Sequence, residues 1–175
     1  PFLRNAETLA RPWAVPGTKG LAHRIGGIEK ADRTGNISYD PDNHDTMVRL
    51  RQAKIDGIDV PDLVVDDPTG DADLLVIGWG STYGPITAGV RRVRKEGKKV
   101  AQAHLRHLNP MPRNTGEVLR SYRKVLVPEM NLGQLALLLR GRYLVDAVGF
   151  NQVRGLPFNA PQMQDVINEM LEEVR

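Results

Sequence analysis

The chain contains no cysteine. Disulfides, a thiol nucleophile and cysteine-ligated iron–sulfur clusters are therefore excluded within its 175 residues. Aromatic residues make up only 5% of the sequence and are not interleaved with the basic ones, as a base-stacking surface requires. The net charge of +3 and pI near 9.4 are accordingly read as a mildly basic surface, and no nucleic-acid partner is expected. No apolar run approaches the roughly 18 residues of a membrane span. The opening residues Pro1-Phe2-Leu3-Arg4 do not form a signal peptide. The chain starts without an initiator Met, and a fragment or processed product is expected. There is no internal repeat and no low-complexity tract. What remains is ordinary for a globular protein: 41% hydrophobic and 26% charged residues.

One stretch organises the rest. Leu74-Leu75-Val76-Ile77 is an apolar run of strand length, suited to burial on both faces. Gly78 and Gly80 break it, Pro85 suits the first position of a helix, and Ile86, Val90 and Val93 then recur at helical spacing. Strand, glycine turn and helix open a βαβ unit. Downstream the alternation continues. Lys99–His104 reads as a strand, and Asn114 with Glu117 as a capping box before a helix through Tyr122. Val125–Glu129 is a strand, and Asn131 with Gln134 starts a Leu-rich helix over Leu132–Arg142. Leu144–Phe150 is strand-like. Asn159 caps a last helix whose stripe is Met163, Val166, Ile167, Met170, Leu171 and Val174, with Asp165, Glu169, Glu172 and Glu173 facing away. The pattern predicts an α/β domain over 72–175 with a mainly parallel sheet and right-handed crossovers.

Residues 1–71 read as an irregular arm with one helix. Pro12, Pro16, Gly17, Gly20, Gly26, Gly27 and Gly35 punctuate its first part, and no periodicity lasts. Trp13, Ile25, Ile28 and Tyr39 are more than a solvated linker needs, so packing on another domain or subunit is expected. The helix is capped by Asp42 or Asn43 and stopped by Gly57, with an i,i+4 pair from Asp45 to Arg49. Leu63-Val64-Val65 reads as a short strand.

Spacing assembles no catalytic constellation. Gly78, Gly80, Ser81 and Thr82 form a candidate anion-binding loop, with N–H groups and hydroxyls at a helix start beyond a strand's carboxyl end. The alternative is a tight turn with a capped helix. It is not a P-loop, which needs Gly-x-x-x-x-Gly-Lys-Ser/Thr. His104 and His107 lack a third partner at ligand spacing, so no metal site is assigned. His23, Arg24 and His44 are candidate contacts to an anionic substrate or a partner carboxylate, the alternative being surface residues. Glu129 is a functional carboxylate or a structural acid capping the helix that follows. Arg91–Lys99 reads as a solvated helix end.

Several ordered motifs resemble one family. They are Gly78-Trp79-Gly80-Ser81-Thr82, Leu105-Arg106-His107-Leu108-Asn109-Pro110-Met111-Pro112 and Val125-Leu126-Val127-Pro128-Glu129-Met130-Asn131-Leu132-Gly133-Gln134-Leu135. Together with Pro16-Gly17-Thr18, Gly20, His23, Gly26, Ser38-Tyr39-Asp40-Pro41 and His44, they look like the C-terminal part of the α subunit of 2-oxoacid:ferredoxin oxidoreductases. Within that family the 2-oxoglutarate branch is the most similar. The resemblance implies a transketolase C-terminal-domain-like, three-layer α/β sandwich with a mixed, mainly parallel five-stranded sheet. It implies a cytoplasmic enzyme using thiamine diphosphate, Mg²⁺, an iron–sulfur cluster and coenzyme A. That enzyme converts 2-oxoglutarate to succinyl-CoA and reduces ferredoxin. The diphosphate and the cluster would belong to a β subunit, with the rest of the α subunit as a further partner. No catalytic residue carries over. This segment alone is expected to be inactive, scaffolding the assembly, with His23, Arg24 and His44 at the active-site rim or an interface. Alternatives are the related domain of a transketolase-like or 2-oxoacid dehydrogenase E1 protein, and a free-standing anion-binding module.

Overall fold

The computed structural model describes residues 2–24 and 26–174, the side chain of Val174 excepted. Ile25 and the apolar role expected of Val174 therefore lie outside the description. The chain forms two compact units, 1–59 and 60–175.

The first unit is built around helix α1, Pro41–Asp56. Its cap is Asp40 rather than Asp42 or Asn43. The Asp40 carboxylate accepts from the backbone N–H groups of Asp42 (2.8 Å) and Asn43 (3.1 Å). Pro41, which has no N–H to satisfy, takes the first helical position. Asn43 is thereby free for another task. Its side chain accepts from Asp32 N and donates to Lys30 O, holding the turn that the Lys30–Ile37 bridge closes. The expected Asp45–Arg49 pair is present at 2.7 Å. Met47 is the buried residue of α1.

Among its described residues, the second unit carries five strands in the order β1-β3-β2-β4-β5. They are β1 (Val65–Asp66), β2 (Leu74–Trp79), β3 (Ala101–Leu105), β4 (Lys124–Glu129) and β5 (Ala147–Asn151). β1 runs antiparallel to β3, and the remaining pairs are parallel. The sheet is thus mixed and mainly parallel, as the alternation predicts. Its edge strand begins upstream of residue 72, where the α/β domain was expected to start. Val60–Asp71 goes with the sheet because Leu63 is buried in its core and Val65 pairs with Ala103.

Helices α2 (Tyr83–Lys95) and α5 (Ala160–Val174) cover one face, and α3 (Thr115–Arg120) and α4 (Gln134–Tyr143) the other. β2 shows why both faces need cover. Leu74 and Val76 pack under α2 and α5, while Leu75 and Ile77 face α3 and α4. β2 to β3 and β4 to β5 step in opposite directions through helices on opposite faces, so both crossovers have the same hand. α2 and α5 approach closely at Gly89, where an added Cβ would lie 2.4 Å from Met163 Cβ.

The α5 stripe is as expected: Met163 and Ile167 have no exposed surface, Met170 is buried, and Val166 and Leu171 pack at its margin. Asn159 caps it through Gln162 N at 2.9 Å. The strand expected over Leu144–Phe150 begins only at Ala147. Leu144 is 91% exposed and sits at φ 54°, closing α4 in the left-handed conformation. The Leu-rich helix buries Leu135, Ala136 and Leu139 and leaves Leu137 and Leu138 exposed.

Candidate functional site

In a doubly wound sheet the usual ligand crevice opens where neighbouring strands lead their connections apart, beyond the strands' carboxyl ends. Here that point lies between β2 and β4. The last residues of the two strands are Trp79 and Glu129, and they meet: Trp79 Nε1 donates to Glu129 Oε1 at 3.2 Å. Glu129 has no exposed surface. Its Oε1 also accepts from Asn131 Nδ2 (3.1 Å) and Leu135 N (2.8 Å), and its Oε2 accepts from Ala136 N (3.0 Å). A buried carboxylate is tolerated when its lone pairs are filled, and the first N–H groups of a helix attract it further. Of the two roles open to Glu129, the geometry is that of the structural one: it anchors the start of α4. Asn131 completes the anchor by accepting from the N–H groups of Gly133 and Gln134. Gly133, at φ 93°, turns the chain into the helix.

The Gly78–Thr82 loop is tied to the same place. Gly78 lies inside β2, where an added Cβ would meet Ile86 Cδ1 at 2.4 Å and Thr82 Oγ1 at 2.7 Å. Residues 80–82 form a short 3-10 turn. The buried Thr82 hydroxyl donates to Trp79 O (2.8 Å) and accepts from Trp79 N (3.2 Å). Gly78 and Thr82 therefore hold the turn together, and Gly80 and Ser81 face outward. Pro85 is the third residue of α2 rather than its first.

Asn114, expected to cap α3, makes no such bond. Its side chain instead accepts from Leu63 N (2.8 Å) and donates to Leu63 O (3.0 Å), pinning the strand entry. Arg94 likewise leaves the solvated helix end predicted for it. It donates to Val100 O and to Asp66, joining α2, β1 and the start of β3.

His104 and His107 line one cavity of about 600 Å³ beside β1, β3 and α2. The His104 ring meets Tyr83 edge-on at 5.1 Å, and its Nδ1 is buried without a partner among the described residues. Burial, helped by Arg106, lowers its pKa below the ordinary histidine value. Among the described residues, no three His, Asp or Glu side chains converge as metal ligands would.

The other candidates lie in the first unit. His23 and Arg24 share a cavity of about 300 Å³ with Phe2, Arg11 and Lys30. Phe2 meets the His23 ring edge-on, and His23 Nδ1 is 2.8 Å from Leu21 O. His44 lines a neighbouring cavity, where its Nδ1 pairs with Glu29 Oε2 at 2.8 Å and Arg51 holds the other Glu29 oxygen. Arg11 and Lys30 line both cavities. Arg11 lies near Asp32 and Arg4, and burial with Arg4 alongside lowers its pKa. Sequence spacing did not single out Arg11, which is separated from His23 and His44 by loops without periodicity.

Comparison with known proteins adds a frame to this geometry. The family model for pyruvate:ferredoxin oxidoreductase core domain II matches residues 72–156. A 2-oxoglutarate oxidoreductase subunit KorA of Mycobacterium tuberculosis is 63% identical over 171 residues, which is 98% of this chain and 26% of the relative. The α subunit of 2-oxoacid:ferredoxin oxidoreductase 1 of Aeropyrum pernix is 34% identical over 76% of this chain and 21% of its own length. Among solved structures, a 2-oxoglutarate:ferredoxin oxidoreductase from Magnetococcus marinus, with 2-oxoglutarate, coenzyme A and succinyl-CoA bound, superposes with a TM-score of 0.84. It is 30% identical, and the match covers 99% of this chain and 30% of that one. The chain thus spans between a fifth and a third of these relatives' lengths. The sheet and its flanking helices have the transketolase C-terminal-like architecture.

Proposed function

Because the chain belongs to the 2-oxoacid:ferredoxin oxidoreductase α-subunit family and corresponds to its C-terminal region, we propose that it is the scaffold and subunit-contacting part of a 2-oxoglutarate:ferredoxin oxidoreductase. The whole enzyme would convert 2-oxoglutarate and coenzyme A to succinyl-CoA, passing electrons to ferredoxin. The observation that carries this reading is the 63% identity to the mycobacterial 2-oxoglutarate oxidoreductase subunit along 98% of the chain.

The residues here do not fit the enzyme's redox groups. There is no cysteine to ligate a cluster. The described residues bring together no acidic cage for Mg²⁺ and diphosphate. Thiamine diphosphate, Mg²⁺ and the cluster are assigned to a β subunit, and no reaction step is placed on this chain. Exposed leucines on and near α4, Leu132, Leu137, Leu138 and Leu144, support a contact role. His23, Arg24 and His44 are proposed to face the active-site rim or a subunit interface. Gly80 and Ser81 are the members of the Gly78–Thr82 loop available for an anion. A cytoplasmic site of action is part of the same proposal.

The test is the assembled enzyme containing this chain's sequence, assayed for ferredoxin reduction dependent on both 2-oxoglutarate and coenzyme A. Arg24→Ala is expected to change KM or subunit retention. A higher kcat/KM with another 2-oxo acid would overturn the substrate assignment. Lipoyl partners in place of ferredoxin would overturn the family role.

A further inference from the structure

The cavity beside β1, β3 and α2 is not used by the scaffold role, and its lining has a consistent chemistry. Its volume of about 600 Å³ suits a small molecule. It includes the carboxyl end of β3, the side of a parallel sheet where ligands are usually held. Three arginines reach it. Arg94 is bound to Asp66, but Arg91 and Arg106 are exposed and have no carboxylate partner among the described residues. The other acid in the lining is Asp62. Two unpaired guanidiniums against one carboxylate in the lining leave a net attraction for an anion, and the planar guanidinium fork matches phosphate oxygens.

The rest of the lining asks for more than a bare ion. Gln102 is only 5% exposed and donates its amide hydrogen to Thr87 Oγ1 at 2.7 Å. Its carbonyl oxygen has no protein partner among the described residues, which leaves an acceptor at the cavity wall. Tyr83 is 55% exposed and presents an aromatic surface braced by His104. Arginines, an acceptor amide, a carboxylate and an aromatic face together suit an anionic group carried on a ring with hydrogen-bond donors.

We propose that this cavity binds a phosphorylated small molecule of nucleoside-monophosphate size, with its phosphate held by Arg91 and Arg106 and its ring against Tyr83. Hydroxyl or amino groups of the ligand then meet Asp62 and the Gln102 carbonyl. The inference does not depend on the family role proposed above, because it uses only this unit's own side chains.

Calorimetric titration of the full chain with inorganic phosphate, ribose 5-phosphate and AMP tests it. AMP is expected to bind at least about tenfold more tightly than phosphate, with ribose 5-phosphate between them. The double variant Arg91→Gln/Arg106→Gln should lose about tenfold or more of the AMP affinity, as expected for removed charge-assisted bonds. Both positions are exposed, so the variant's melting temperature should stay close to the parent's. Tyr83→Ala should weaken AMP and leave phosphate unchanged. Arg123→Gln, outside the cavity, is the control for general charge. No saturable binding of any of the three compounds overturns the proposal. So does equal loss in the double variant and the control, or phosphate binding as tightly as AMP.

Discussion

Replacing Glu129 by Ala removes the acceptor on which the start of α4 depends. Four donors converge on the carboxylate: Trp79 Nε1, Asn131 Nδ2, Leu135 N and Ala136 N. Asn131 is half-buried and can turn to water. Leu135 and Ala136 are buried and cannot, and Trp79 is fixed by its place in β2. A hydrogen bond to a charged partner is worth about 1.5–3 kcal/mol, and each buried group left unpaired costs a similar amount. An anion at a partly buried helix N-terminus adds up to about 2 kcal/mol. These contributions overlap, since one loosened turn relieves several of them. A loss of about 4–6 kcal/mol is therefore expected for Glu129→Ala. Glu129→Gln keeps one oxygen for the three donors at Oε1 but turns an amide group towards Ala136 N, and a loss of about 2–3 kcal/mol is expected. Urea unfolding followed by Trp79 emission in a Trp13→Phe background measures both. Trp13 is 92% exposed, so its replacement leaves packing intact. A loss below about 1 kcal/mol for Glu129→Ala, which is ordinary for a surface site, would refute the anchoring role.

Gly89→Ala brings a Cβ to 2.4 Å from Met163 Cβ and 3.1 Å from the Met163 carbonyl carbon. It should destabilise by about 1–3 kcal/mol, despite the better helix propensity of Ala, and a raised melting temperature would contradict the close crossing of α2 and α5. Ile167→Ala should cost about 2–5 kcal/mol in urea unfolding, because the side chain has no exposed surface. Proton NMR should show His104 titrating below the ordinary histidine value, moving part of the way back in Arg106→Gln. Because its folded pKa is lowered, its contribution to stability is complete above the unfolded value near 6.5 and is lost as pH falls towards the folded one. The Glu29 carboxyl should titrate below the ordinary range, held down first by the His44 hydrogen bond and then by Arg51, and His44→Ala should raise it.

The sheet and its helices could be read from the sequence because burial writes a period. β2 is a continuous apolar run, and α5 repeats at three and four residues with acids opposite, so both were placed within a residue or two. Polar placements were not written in that way. Asn114 precedes Glu117 as in a capping box, yet its amide serves Leu63, 51 residues earlier in the chain. The Asp40 cap was displaced by two or three residues because Asp40, Asp42 and Asn43 are all good capping types. Only the pairing of Asn43 with Lys30 and Asp32 decides which is left free to cap. A short strand is read at Leu63–Val65, but β1 (Val65–Asp66) is only two residues long, too short to show which sheet it joins, so the sheet's edge falls outside the expected domain.

The same distinction explains the candidate sites. Glycine-rich turns after a strand attract an anion-binding reading because the backbone motif is local. What fills the turn is not local. The hydroxyl of Thr82 is consumed by Trp79, and Trp79 in turn reaches Glu129, 50 residues further on. Side chains thus occupy the crevice between β2 and β4 that a doubly wound sheet ordinarily offers to a ligand. Closing it makes the β2–β4–α4 junction rigid, which suits a domain that bears others. It also leaves the cavity beside β3, where Arg91 and Arg106 have no carboxylate partner among the described residues. If the junction carries load and the cavity binds ligand, the two should be separable. Glu129→Gln should lower stability and leave AMP affinity unchanged, and Arg91→Gln/Arg106→Gln should do the reverse. A variant of either kind that moved both quantities together would show that junction and cavity are one coupled unit.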